Sequence, residues 1–267
     1  MSRHFVLTLL LPLLLAPAAL HAQTAAQAQT QPAHPAPVLL ELFTSEGCSS
    51  CPPADELLRQ VNGRQTAQGQ LIIGLSEHVT YWNGLGWKDP YASAASTDRQ
   101  NSYGARFHLD SVYTPQMVVN GREQFVGGDT RALQSAFAAE AQRSQAAQRS
   151  QLDLRILSAK LTDKDITFTY AAAALPAHTR LQLLAILTDD SDRSNVLHGE
   201  NSGRLLAHTA VARSLAPLGP LQPTTQRSIT LPLPPSFVAA PGAAHHLVLF
   251  AQEADAGPIL GADTTPL

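Results

Sequence analysis

The sequence predicts an α/β domain built on a mixed sheet, followed by a β-rich, sandwich-like domain. Two observations carry this expectation. Apolar runs and helical patterns alternate as strand, helix, strand, hairpin and helix up to about residue 150. Beyond Gln151 short alternating strands follow one another, separated by Pro and Gly. The 267 residues carry 18 Lys+Arg against 21 Asp+Glu, with 44% apolar residues. That composition suits a globular chain. Basic residues are scattered without a cluster, which argues against a nucleic-acid partner.

The first segment reads as an address. Arg3 and His4 precede the apolar run Phe5–Leu15, and small residues follow up to Ala22. This is the order of a cleaved secretory signal over residues 1–22. The run is shorter than the ~20 residues of a comfortable span, and Pro12 interrupts it. The expected location is therefore periplasmic or secreted, with no membrane attachment after cleavage. Residues 23–37 are Ala, Gln, Thr, Pro and a single His, and read as a flexible leader.

Val38–Phe43 is a buried-strand run. Pro52, Pro53 and Asp55 open a helix with Leu57, Leu58 and Val61 on one face, ending at Asn62-Gly63. Leu71–Leu75 is a second buried strand, and a helix is expected near Ser96–Phe107. Gln116–Val119 and Gln124–Val126 flank Asn120-Gly121, a strong hairpin signal. Asp129 can cap a long helix from Thr130 to Arg149. These elements define an α/β domain over 38–150 and leave 151–267 as the β-rich accessory domain. Asp189-Asp190-Ser191-Asp192 lacks the Gly and terminal Glu of a calcium loop and reads as a solvated turn.

The two cysteines, Cys48 and Cys51, stand between the first strand and the first helix. A thiol at a helix N-terminus meets unpaired N–H groups and the positive end of the dipole, which favour its thiolate. Two intervening residues let the second thiol resolve a mixed disulfide. A plain staple is the alternative. It would be worth about 2 kcal/mol on the chain-entropy model, against ~3 for a 15-residue loop. The strand-to-helix position favours the redox role. Two thiolates also suit copper(I), with His78 as a third ligand.

The stretch Leu40–Asp55 resembles the opening of a family of secreted bacterial proteins of unknown function, domain of unknown function 1223. His78–Trp82, Leu85–Pro90, Tyr113–Gly121 and Gly199–Arg204 are similar to further blocks of that family. The resemblance implies that residues 38–150 are thioredoxin-like. It further implies a cis peptide bond at Pro115, with Thr114 beside it shaping a groove for an extended substrate. It also implies a buried acid at Glu41 that takes the proton of the second cysteine.

The expected function is thiol–disulfide exchange on a protein or small-molecule thiol or disulfide, with no organic cofactor. Cys48 attacks, Cys51 resolves, Glu41 shuttles the proton, and Thr114 and Pro115 shape the groove. The alternatives are a copper(I)-binding or metallochaperone module on Cys48, Cys51 and His78, and a non-catalytic binding protein. Ser49-Ser50 puts no cation between the sulfurs, and Glu46 opposes a thiolate. The pair should therefore be a weaker oxidant than the strong periplasmic oxidases. Both tryptophans and four of five tyrosines fall within 81–113, so Trp82, Trp87 and Tyr113 are candidate substrate contacts.

Overall fold

The computed structural model describes residues 1, 36–147, 152–176, 179–235, 237 and 243–267. The expected signal segment, nearly all of the leader and the expected boundary near residue 150 lie outside the described residues. Residues 34–267 form one compact unit.

The first half runs β1 (Val38–Thr44), α1 (Pro52–Val61), β2 (Ile72–His78), α2 (Ala94–Arg106), β3 (Gln116–Val119), β4 (Glu123–Val126) and α3 (Thr130–Ala146). Each element follows from a local cause. Pro at the first helical positions starts α1, where a missing N–H costs nothing. The Ser93 side chain accepts the Ser96 N–H at the start of α2. Asp129 Oδ1 accepts the N–H groups of Arg131 and Ala132 at 3.0 and 2.9 Å, capping α3. Asn120 and Gly121, at φ 47° and 62°, make the tight turn between β3 and β4. A side chain at Gly121 would place its Cβ 2.4 Å from the Gly257 carbonyl oxygen.

The second half is all strand: β5 (Asp153–Leu161), β6 (Asp165–Ala173), β7 (Leu181–Asn195), β8 (Leu205–Pro220), β9 (Thr224–Pro232), β10 (His245–Glu253) and β11 (Ile259–Pro266). Here the expected architecture is overturned. Strands take 45% of the described residues and helices 18%. The strands of both halves join one eight-stranded mixed sheet in the order β11-β10-β7-β8-β2-β1-β3-β4. This is not a thioredoxin-like α/β domain followed by a separate sandwich. The seam is a parallel contact between β2 and β8 at Ser76 and Val211. The sheet curls until the Ile259 N–H reaches the Asn120 carbonyl at 2.9 Å. Consequently Leu39, Ile73 and Leu75 of the first half pack with Ile186, Val248 and Phe250 of the second.

The physical reason lies in β7 and β10. Leu183, Ala185 and Leu187 face the three-stranded sheet β5-β6-β9, through Ile166, Phe168 and Tyr170. The intervening Leu184 and Ile186 face the first half. Both faces of β7 are therefore covered, and a strand apolar on both faces belongs in the middle of a large sheet. Asp189–Asp192 forms part of β7 rather than a turn. Asp189 meets His245 Nδ1 at 2.8 Å, and Asp190 meets His246 Nδ1 at 2.6 Å.

Glu41 sits on the sheet face opposite α1. There Arg99 of α2 donates to its carboxyl group, and the Tyr103 hydroxyl donates to Glu41 Oε2 at 2.6 Å. Arg99 also donates to Gln252 Oε1 at 2.9 Å, so this buried cluster ties β1, α2 and β10 together. Glu77 lies in the same cluster, where burial and then the neighbouring Glu41 push its pKa well up. Replacing Arg99 with Met leaves Glu41 buried without its cation. The expected cost is about 3–5 kcal/mol in urea unfolding. Part of that loss should return in the double variant with Glu41→Gln.

Candidate functional site: the disulfide turn and its buried polar cluster

The loop from β1 to α1 carries the chemistry. A turn places the Cys48 N–H on the Ser45 carbonyl at 3.1 Å. Cys48 and Cys51 form a disulfide, and Cys51 is the cap residue of α1. Cys48 Sγ lies 3.4 Å from Ser50 Oγ. Ser49 and Ser50 are exposed, yet both cysteines have 0% exposure. Thiol–disulfide exchange calls for a sulfur that a substrate can reach, and the structure covers both.

Two of the expected neighbours gather at this turn. The Thr114–Pro115 bond is cis. A Cβ built on Gly127 would lie 3.0 Å from Pro115 Cβ and 2.9 Å from Ala54 Cβ, so Pro115 borders the first turn of α1. Trp82 donates its indole N–H to Thr114 Oγ1 at 2.8 Å and packs its Cβ against Gly47. Trp87 is instead a buried-cluster donor, with its indole N–H 2.7 Å from Glu46 Oε2. Tyr113 precedes Thr114 but donates its hydroxyl to Gln124 Oε1 at 2.6 Å. Glu41 is absent from the site. It belongs to the Arg99 cluster because side chains alternate along β1, and it points away from the face that α1 covers.

Behind the turn lies a set of buried polar side chains that the sequence did not bring together. The Glu46 carboxyl group accepts from Trp87 and from Ser194 Oγ, and lies 3.2 Å from His208 Nε2. Asp55, one helical turn after Cys51, accepts the Thr44 hydroxyl at 2.9 Å. Its Oδ2 is 3.9 Å from His208 Nδ1. Residues four apart share a helix face, so Asp55 follows Cys51 along the buried side of α1. Burial pushes the Asp55 pKa up, against the opposing pull of His208, His78 and the Thr44 hydrogen bond. A carboxyl group so placed holds a proton more firmly than an exposed one. The signal for Asp55 was its place on the helix stripe that includes Cys51 and Leu58. No signal marked His208, which sits in a long strand.

His78 also belongs to this cluster. Its Nδ1 is 2.7 Å from Asp89 Oδ2, and its ring meets His208 edge-on at 4.6 Å. Burial opposes a charge on His78, but Asp89, Asp55 and Glu46 outweigh it and raise its pKa. Among the described residues, no group of three or more His, Cys, Asp or Glu side chains is arranged to hold a metal ion. Asp89 holds the Nδ1 of His78, and the Nε2 of His78 is buried without a hydrogen-bond partner.

With the geometry established, comparison with known proteins supplies a family. Residues 39–252 match the family described as "Protein of unknown function (DUF1223)", and the chain belongs to it. Among solved structures it is similar to protein AGR_C_4864 from Agrobacterium tumefaciens. That similarity is 28% identity over 85% of this chain and 92% of that one, with a TM-score of 0.57. It is also similar to HBP35 of Porphyromonas gingivalis, at 14% identity over 88% of this chain and 76% of that one, with a TM-score of 0.60. The second likeness concerns the fold alone. No curated protein matches the chain.

The Asp89–His78 pair makes stability depend on pH. Burial works against the Asp89 charge, yet His78 and the N–H groups of Glu46 and Tyr91 overcome it and hold its pKa at about 2, from an ordinary 3.8. A folded pKa below the unfolded one gives stability that is complete above the unfolded value and drains away as pH falls through the folded one. The gap is worth roughly 2 kcal/mol. The His78 share has the opposite sign. It is complete below the unfolded histidine value and is lost as pH rises through the raised one. Urea unfolding of the parent and Asp89→Asn between about pH 5 and about pH 2 checks this. The stability difference between them should shrink by about 2 kcal/mol toward the acid end.

Proposed function

We propose that the protein is a thiol–disulfide redox protein whose working pair is Cys48 and Cys51. The observation that carries this reading is the disulfide at the first turn of α1, backed by Asp55, buried on the same helix with its pKa raised by burial. A helix N-terminus favours a thiolate at the first cysteine.

In the reduced form the Cys48 thiolate attacks a substrate disulfide, forming a mixed disulfide and releasing one substrate thiolate. Cys51, losing its proton, then attacks Cys48 Sγ and releases the second. The substrate gains two electrons and two protons, and the Cys48–Cys51 bond forms. The reverse sequence oxidises a substrate dithiol. Asp55, buried on the α1 side of the sheet, takes the proton-shuttling role that the sequence suggested for Glu41.

This reading puts the mature chain in an oxidising compartment, reached through residues 1–22 as a cleaved signal. The zero exposure of both cysteines favours a second reading, an inert staple holding the start of α1.

Trapping separates the two. Cys51→Ser, purified from the periplasm and offered a disulfide-bonded peptide, should accumulate a one-to-one mixed disulfide at Cys48. Its intact mass should begin at Gln23. Cys48→Ser should form no adduct and lose exchange turnover by roughly two orders of magnitude or more. Absence of any adduct on Cys51→Ser would establish the staple.

A further inference from the structure

The segment joining β7 to β8 lies against the disulfide turn. Asn201 is completely buried, and its Nδ2 donates to the Glu46 carbonyl at 2.8 Å and the Cys48 carbonyl at 2.9 Å. Beside it the Ser49 N–H donates to Glu200 Oε2 at 3.1 Å. The segment keeps its own shape. The Gly203 N–H meets the Val196 carbonyl at 2.8 Å, and Arg204 Nη1 donates to Asn201 Oδ1 at 2.8 Å. Gly199, at φ +78°, lies on Trp87, where an added Cβ would come 3.2 Å from Trp87 Cβ.

Disulfide exchange requires a thiolate to reach a sulfur, so its rate depends on access. With both cysteines covered, some neighbour must move before any exchange occurs. The helix side is anchored, because Ala54 and Leu58 of α1 are buried in the core with Leu40 and Leu42 of β1. The β7–β8 segment is held to the turn differently. Val196 at its root is buried, but beyond it the segment is held to the turn by the hydrogen bonds of Asn201 and Glu200, and Leu197 and Leu205 are 64% and 59% exposed. Elements with few buried attachments open at the lowest cost.

We propose that residues 197–204 form a lid over the Cys48–Cys51 disulfide, latched by Asn201 on the Cys48 and Glu46 carbonyls and by Glu200 on Ser49. The latch grips the turn itself, since the Cys48 carbonyl that accepts from Asn201 also accepts the Cys51 N–H at 3.2 Å. Opening breaks these bonds and leaves the sheet and α1 in place. The lid would regulate the site assigned under the redox reading and rests on that reading for its purpose.

Reduction of the oxidised protein by excess dithiothreitol tests the lid. The reagent gives two electrons and two protons to the disulfide and closes into its own cyclic disulfide. Stopped-flow rates are compared for the parent, Glu200→Ala and Asn201→Ala, with circular dichroism confirming the fold. Glu200→Ala should react about 5-fold faster and Asn201→Ala about 10-fold faster or more, as the latch bonds are lost. Rates within about twofold of the parent in both variants would overturn the lid. So would an equal acceleration in Arg99→Met, which loosens the opposite face of the sheet. Should Asn201→Ala fail to fold, the exposed Glu200→Ala decides alone. Faster reduction without any trapped adduct on Cys51→Ser retires the redox reading and keeps the lid. A trapped adduct with unchanged rates does the reverse.

Discussion

The constraint on which the site depends is the burial of Glu46. A carboxyl group removed from water must find partners inside the protein, or its desolvation is uncompensated. The Glu46 carboxyl group finds them on three separate segments: Trp87 in the aromatic loop, Ser194 at the end of β7 and His208 on β8, while Asn201 in the β7–β8 segment donates to the Glu46 backbone carbonyl. The Glu46 N–H meets Asp89 Oδ2 at 2.8 Å, and the same oxygen holds His78. One residue, two positions before Cys48, therefore fixes the disulfide turn against everything that surrounds it.

This arrangement explains why the two halves of the chain cannot be separated. Ser194, Asn201 and His208 come from the β-rich half, while Glu46, Asp55, His78 and Asp89 come from the first half. On the other face of the sheet the Arg99 cluster does the same with Gln252. Two buried polar clusters, one on each face, flank the narrow parallel contact between β2 and β8. Such clusters add directional specificity to a seam where apolar packing alone would tolerate sliding. They also put titratable groups next to the disulfide, the material a proton-coupled exchange requires.

Much of the local structure was legible in the sequence. Pro52, Asp129 and Asn120-Gly121 act over a few residues, so their effects on α1, α3 and the β3–β4 turn follow from short-range sterics and hydrogen bonding. The partner of each strand was not legible. Leu181–Leu187 reads as a strand, but nothing in it says that one face will meet Leu39 and Ile73. The failure at Glu41 has the same origin, because only the position of α1 decides which face of β1 is the disulfide side. Asp55 was visible as a helix opener and hid its burial on the apolar stripe. His208 and Asn201 reach the site over separations of more than 150 residues from Glu46 and Cys48. No local pattern encodes that distance.

What remains central is whether the covered disulfide is a working redox couple. Its equilibrium reduction potential, measured by thiol trapping in glutathione buffers of graded ratio, addresses this most directly. A working couple should lie between about -300 mV and about -120 mV, reducible in a cell yet a weaker oxidant than the strongest periplasmic enzymes. A value below about -300 mV would mark a structural bridge and contradict it.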